Sequence, residues 1–241
     1  ATVDLNKIKW SDADIYTPKF KPHLSAQYGC KVTAHEILQP IDSFPAKNGK
    51  ETVYDFGQNF AGAVHLKIKG KAGQIVTVRH AELLIDLCVK SLRTAKATAT
   101  YVCADGEQEY SPRLTYMGFR YIGISGINPE NITVEAFVIH SDFEEIGNFE
   151  CSDPLINKLQ SNIRWSGKSN FVDIPTDCPQ RDERQGWTGD ISVFADTACY
   201  NFDISRFLDK WLADVKSEQG VGGGIPMVVP KQGNSAATAA R

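Results

Sequence analysis

The chain has no CxxC pair, no apolar run long enough to cross a bilayer, no basic-then-apolar leader at its start and no strong charge of either sign. Each absence removes a class of function. Its six cysteines, at positions 30, 88, 103, 151, 178 and 199, are widely and irregularly spaced. That excludes the usual zinc ligand spacings and a small disulfide scaffold, and predicts free thiols in a cytoplasmic protein. A formal net charge of -3 supplies no field for nucleic acid or an anionic membrane, so neither is an expected partner. The opening ATVDLNKIKW does not read as a signal peptide, although a leader already cleaved is compatible with it. No internal repeat is evident. With 42% hydrophobic residues among 241, the chain can bury a real core in one large domain or two modest ones.

The first half reads as β-structure. Val64, Leu66 and Ile68 alternate with His65, Lys67 and Lys69, the period of a strand with one buried face. Gly70-Lys71-Ala72-Gly73 forms a turn, and a strand resumes over Ile75 to Glu82. Further strands are expected at 51–56, 98–103, 118–125 and 132–139, separated by Gly, Asn, Asp and Pro clusters. Tyr116, Phe119 and Tyr121 at strand spacing read as core and interface, and His65 and His80 as members of sheet faces. Many short strands with such turns indicate an antiparallel sandwich.

Near residue 145 the pattern changes. Asp153-Pro154 reads as an N-cap with proline in the first turn, followed by Leu155, Leu159 and Ile163 at helical spacing. Asp190 is a candidate cap for a second helix through Ile191, Phe194 and Ala198. Asp203 is a candidate cap for a third, whose apolar stripe runs through Ile204, Phe207, Leu208, Trp211, Leu212 and Val215 to Gly220. Gly222-Gly223-Gly224 reads as a flexible linker or turn, and NSAATAAR at the end as featureless and disordered. The chain thus divides into three segments: 1–30 as the remnant of a preceding β-domain or a linker, 31–143 as a β-sandwich, and 144–241 as a helical domain.

Between the first two helices lies DCPQRDERQGWTGD, Asp177 to Asp190. Four acids, two arginines and a tryptophan are interleaved with Cys-Pro and two glycines, a mixture unlike a plain solvated face. It suits a sugar site: carboxylates to move protons, Arg and Asp to hold hydroxyls, and an aromatic plane for the ring. Glu183 is the candidate acid. Acids beside it favour its protonated form and arginines its ionised form, and both flank it. The bland alternative is a set of Asp/Arg pairs that tie down a long connection. Cys178 reads as a buried structural thiol rather than a nucleophile, since no histidine lies near it in sequence. Asp177, Asp182 and Asp190 lack the close acidic repeat of a calcium loop, and no metal is expected.

The motif resembles the signature of the inverting α-L-rhamnosidases, glycoside hydrolase family seventy-eight. Tyr54 to Leu84, Leu92 to Tyr101 and Tyr110 to Gly126 resemble the concanavalin-like sandwich of the same enzymes, and Ile146 to Leu159 resembles the entry to their helical catalytic domain. The resemblance covers roughly residues 33–230, in the family's order. It implies a multidomain β + α chain: an antiparallel concanavalin-like β-sandwich followed by the first helices of an (α/α)6 barrel, incomplete. It implies Glu183 as general acid, and Asp177, Arg181, Trp187 and Asp190 as contacts to L-rhamnose. It further implies removal of terminal α-L-rhamnose from rhamnosides with inversion and without an organic cofactor.

The family's general base is a second glutamate much later in the barrel. About 95 residues beyond position 145 hold three or four helices at ~1.5 Å rise per residue, not twelve. The chain is therefore expected to be truncated within the catalytic domain, and weak or inactive alone. Its apolar stripe at Phe207, Trp211 and Val215 is expected to be exposed and to promote self-association. The competing expectation, from another class, is a non-catalytic carbohydrate-binding protein built on the sandwich. A third is a scaffold completed by a separate chain.

Overall fold

One strand of 19 residues organises the first half of the chain. The computed structural model describes residues 4–21, 23–90 and 94–231. Within them the strands are β1 (Val32–Leu38), β2 (Asp42–Pro45), β3 (Thr52–Gly70), β4 (Ile75–Ala81), the short pair β5 (Leu84–Ile85) and β6 (Cys88–Val89), β7 (Thr98–Val102), β8 (Gly106–Tyr110), β9 (Met117–Ser125) and β10 (Ile132–Ser141). The expected segments 51–56 and 64–68 are two halves of β3, not separate strands. The central sheet is antiparallel in the order β1-β10-β3-β9-β4-β7, with β2 and β8 also paired to β3.

β3 changes partners along its length. Thr52–Asp55 pairs with β2 and β9, whereas Gly62–Ile68 pairs with β10 on one side and, from Leu66 onward, with β8 on the other. The register against β9 breaks between Asp55 and Phe60. Gly57 adopts φ 72° there, a left-handed conformation that glycine takes without steric cost. The irregularity is pinned by Asp55, which accepts from Gly57 N–H at 2.7 Å and from Arg120 Nε and Nη2 at 2.8 and 2.7 Å. These bonds, the one to Arg120 foremost, hold the Asp55 carboxyl below its ordinary range.

Besides a smaller cluster at Ala46, Val53, Ala81 and Val89, the sheet folds over one main apolar cluster. Leu66 and Ile68 of β3, Val134 and Val138 of β10, Val76 and Val78 of β4 and Ile122 and Ile124 of β9 all enter it. Phe119 is fully buried among them, as its strand spacing predicts. The alternation that made Val64, Leu66 and Ile68 legible is the inward face of β3.

The helical half comprises α1 (Pro154–Asn170), α2 (Thr188–Asn201) and α3 (Ser205–Glu218), with the small pair β11 (Phe171–Val172) and β12 (Ile174–Pro175) after α1. Asp153 caps α1 as expected, its carboxylate accepting from Leu155 N–H at 2.8 Å, with Pro154 in the first turn. The other two caps need correction. Trp187 holds the N-cap position of α2 and makes no side-chain cap bond, while Asp190 lies inside the first turn. α3 is capped in position by Ile204, and Asp203, one residue earlier, accepts from Ser205 N–H and Oγ.

α1 lies on the sheet through Trp165, which packs against the sandwich core. Ala61 N–H of β3 donates to Ser169 Oγ at 3.2 Å. The buried Lys168 ammonium bridges Glu36 and Glu145 at 2.8 and 2.6 Å. These bonds compensate its burial and keep its pKa above the ordinary lysine value.

The stripe of α3 is not exposed. Phe207, Trp211 and Val215 are 1%, 4% and 9% accessible. They pack with Phe143, Phe171, Phe202 and Val229 in a second core. Phe207 stacks on Phe171 with centroids 4.8 Å apart, and Trp211 Nε1–H donates to the Val229 carbonyl. Periodicity located the buried face of α3 but not its cover, which comes from Phe143 before α1, Phe171 and Phe202 just after α1 and α2, and Val229 after α3. Among the helices, the large apolar side chains most open to solvent lie instead on α1 and α2, at Leu155, Leu159, Val193 and Tyr200. The NSAATAAR segment lies outside the described residues.

Candidate active site

The motif loop is held from both sides. Arg184 anchors it to the sheet: Nη1 donates to the Tyr116 carbonyl at 2.8 Å and the guanidinium lies 4.5 Å over the Tyr116 ring. Arg184 itself has φ 51°, an unfavourable conformation for a side-chain-bearing residue that these contacts hold in place. Thr94 Oγ1 donates to Asp182 from the sheet side. Pro179 and Gln180 pass so close to β9 that a Cβ on Gly118 would sit 2.7 Å from their backbone atoms. Gly118→Ala is therefore expected to destabilise the fold by about 1–3 kcal/mol through overpacking and to displace the loop. Urea denaturation, together with the near-ultraviolet signal of the loop tryptophan, checks this.

The chain after α3 holds the other end. Its Gly222-Gly223-Gly224 does turn, with Gly223 at φ 81° and Gly220 N–H bonded to the Gly224 carbonyl. Residues 226–229 beyond this turn are not a linker. Thr188 N–H donates to Met227 O at 2.9 Å, Val229 N–H donates to Gly186 O at 2.9 Å, and Val229 is fully buried. A Cβ on Gly186 would lie 2.1 Å from the Val229 carbonyl oxygen. This segment thus fixes the backbone on either side of Trp187.

Between these anchors, four of the five expected site residues converge. Arg181 Nη2 lies 2.9 Å from Asp177 Oδ2 and 3.5 Å from Glu183 Oε2. Asp177 Oδ1 accepts from Gln185 N–H at 2.9 Å. Trp187 Nε1–H donates to Glu183 Oε1 at 3.2 Å. The guanidinium of Arg181 is pushed above its ordinary value, first by its contact with the Cys178 sulfur and then by the charges of Glu183 and Asp177, against its burial. Asp190 stands apart: it is exposed on the first turn of α2 and, with Asp177, lines a separate cavity of about 350 Å³.

Cys178 is buried, as expected for a structural thiol. One ligand atom from each of Asp177, Cys178 and Glu183 falls within a mutual 4.8 Å. Arg181 already bridges the two carboxylates there, so a cation would have to displace it.

A cavity of about 370 Å³ opens beside the cluster. It is lined by Asp177, Cys178 and Arg181 of the loop, by residues of α1 including Trp165, and by Gln58, Asn59 and Glu82 from the sheet side. Glu183, 26% accessible through its side chain and 3.5 Å from Arg181, is not among the residues that line this space. The sheet residues were missed in the sequence. A faint signal was available: Gln58-Asn59 is a polar pair between the two apolar halves of β3, at the irregularity that turns it toward the loop.

Comparison with known proteins agrees with this layout. Residues 46–140 match the bacterial α-L-rhamnosidase concanavalin-like domain, and residues 144–240 match the bacterial α-L-rhamnosidase six-hairpin glycosidase domain. The α-L-rhamnosidase of Streptomyces avermitilis is 45% identical over 188 residues, covering 76% of this chain and 18% of that protein. One from Formosa agariphila is 42% identical over 218 residues, covering 87% and 23%. The crystal structure of the S. avermitilis enzyme complexed with L-rhamnose superposes with a TM-score of 0.84 at 41% identity, over 88% of this chain and 21% of that one. The native enzyme of Aspergillus terreus gives 0.81 at 43%, over 86% and 25%. The chain spans about a fifth of the length of the curated relatives it matches. On sequence, fold and domain order together, it belongs to the bacterial α-L-rhamnosidase family, with the concanavalin-like domain followed by sequence of the six-hairpin glycosidase domain.

Proposed function

We propose that this chain supplies the proton-donating half of an α-L-rhamnoside hydrolase site, with Glu183 as the general acid and Asp177, Arg181, Trp187 and Asp190 as contacts to the rhamnose. The observation that carries this reading is the convergence of Asp177, Arg181, Glu183 and Trp187 on one loop. Asp177 accepts from two donors, Arg181 and the Gln185 N–H, each at 2.9 Å. Glu183 stands farther from Arg181, at 3.5 Å against 2.9 Å, and takes the indole N–H at 3.2 Å. A glutamate carboxyl carried on this loop beside an arginine and an indole is the residue type that can pass a proton to a bridging oxygen.

Asp177 is not the second catalytic carboxylate. Its oxygens and those of Glu183 approach within 4.8 Å with an arginine between them. An inverting pair stands ~6.5–9.5 Å apart so that a water fits between base and sugar. The base is therefore a different carboxylate, outside this loop. Asp177 and Arg181 instead present an acceptor and a donor to adjacent sugar hydroxyls, and Trp187 gives an apolar edge to the ring.

The test is titration of the chain with L-rhamnose, read on the Trp187 indole N–H resonance. A saturable shift is expected, and Asp177→Ala should abolish it, because Arg181 then loses its nearest anchor. A folded chain whose indole signal ignores the sugar refutes the reading.

A further inference from the structure

Of the motif's two arginines, Arg184 has no part in the proposed sugar contacts, yet it follows Glu183 directly in the chain. The two neighbours turn to different partners. Glu183 meets Trp187 Nε1 and Arg181 Nη2, both within the loop. Arg184 meets the sheet: Nη1 donates to the Tyr116 carbonyl, Nη2 lies 3.8 Å from Met117 Sδ, and the guanidinium covers the Tyr116 ring. Its charge also reaches His80, which burial keeps neutral near pH 7 and which therefore does not repel it.

The same guanidinium ties the loop to itself. Arg184 Nε–H donates to the Arg181 carbonyl at 3.1 Å, closing a turn with Glu183 inside it. One planar fork thus holds the sheet with one edge and the backbone of the sugar-contacting arginine with the other, which a lysine ammonium could not do from one position.

The backbone gives this fork a consequence for the acid. Arg184 has φ 51°, a sparsely populated conformation that persists only where the surroundings over-determine it. That angle sets how the chain from Glu183 runs into Gln185, Gly186 and Trp187, and so sets the bond between the Glu183 carboxyl and the indole. Released from Tyr116, Met117 and the Arg181 carbonyl, the peptide is free to return to a negative φ, and the carboxyl moves with it.

We propose that Arg184 is a positioning residue for the proton donor: seated on Tyr116 and Met117, it fixes the direction of the Glu183 carboxyl relative to Arg181 and Trp187. The sheet thereby reaches the reacting group through one side chain. The inference rests on the reading of Glu183 as general acid.

Two variants test it. Arg184→Lys keeps a charge over Tyr116 but loses the fork, and Arg184→Gly takes φ 51° without strain but loses the guanidinium. In this chain the Trp187 indole N–H resonance reports the bond to Glu183. Both variants are expected to move it, with thermal unfolding showing that the chain is folded. In a polypeptide extended to the length of the relatives, kcat for a rhamnosyl disaccharide should fall ~10–100-fold, the cost of a misplaced acid, with KM within ~2-fold and a loss below ~3-fold for a nitrophenyl rhamnoside, whose leaving group needs no proton. A plain structural anchor would lower both substrates equally and leave the indole signal of the folded chain in place. Either of those results overturns the proposal. Should Arg184→Lys not fold, Arg184→Gly decides. Glu183→Gln, run beside them, separates the two readings. If it shows the leaving-group dependence and the Arg184 variants do not, only the positioning role falls. If it shows none, the general-acid reading falls and the positioning role with it.

Discussion

Glu183→Gln is expected to reduce hydrolysis of α-L-rhamnosides ~10²–10⁴-fold, the usual contribution of a general acid. The measurement belongs in a polypeptide extended to the length of the relatives, since this chain spans about a fifth of them. Glutamine keeps the size of the side chain and can still accept from Trp187 Nε1–H, so binding of rhamnose should change little. The diagnostic feature is the dependence on leaving group. A nitrophenolate departs readily without a proton, whereas a sugar alkoxide does not. The loss should therefore be small for nitrophenyl rhamnosides and near the upper end for a rhamnosyl disaccharide. A uniform loss across leaving groups would assign Glu183 to binding rather than to proton transfer, and an unchanged rate would remove it from the site and favour a non-catalytic carbohydrate-binding role.

The second large effect concerns acid. His80 and His140 are almost fully buried, and burial lowers each pKa from 6.5 to about 4. His80 sits against Phe119, bonded to the Ala97 carbonyl and within the field of Arg184. His140 stacks on His35 with centroids 3.6 Å apart, beside Phe143, with Lys168 and Glu36 near. Both are neutral in the folded chain. Between pH 6.5 and about 4 the unfolded chain binds protons that the folded chain refuses. Their contribution is thus complete above pH 6.5 and is lost as pH falls toward 4. Each histidine accounts for up to about 3 kcal/mol over that window. Urea unfolding at a series of pH values should show this slope, and His80→Leu and His140→Leu should each remove part of it, whatever they do to stability at neutral pH. Slopes identical to the parent would contradict the buried neutral state. The lowered carboxylates Asp55 and Glu36, with ordinary values of 3.8 and 4.5, begin to lose their stabilising ionisation below about pH 5, so the histidine slope is read on the neutral side of that point.

How far the molecule could be read before folding differs from element to element. Strand alternation in Val64–Ile68 and the stripe of α3 were legible because a side chain's face follows from local period alone. The caps were half legible. Asp153 sits where its carboxylate reaches a free N–H, but Asp190 lost the cap position to Trp187, because pairing with residues 227–229 starts α2 three residues early. The exposure expected for Phe207, Trp211 and Val215 failed for the same kind of reason: Phe143, Phe171 and Val229 are remote in sequence and adjacent in space.

By itself, the order of residues from Asp177 to Asp190 determined which groups could handle a proton and a sugar, and the alternating and helical periods determined the two architectures that flank them. Only the tertiary structure decided that Arg181 stands nearer Asp177 than Glu183, that residues after α3 brace Trp187, and that Gln58, Asn59 and Glu82 face the same cavity. The physical reason is that hydrogen bonding and packing act over a few ångströms of space, whereas chain order constrains only neighbours along the backbone.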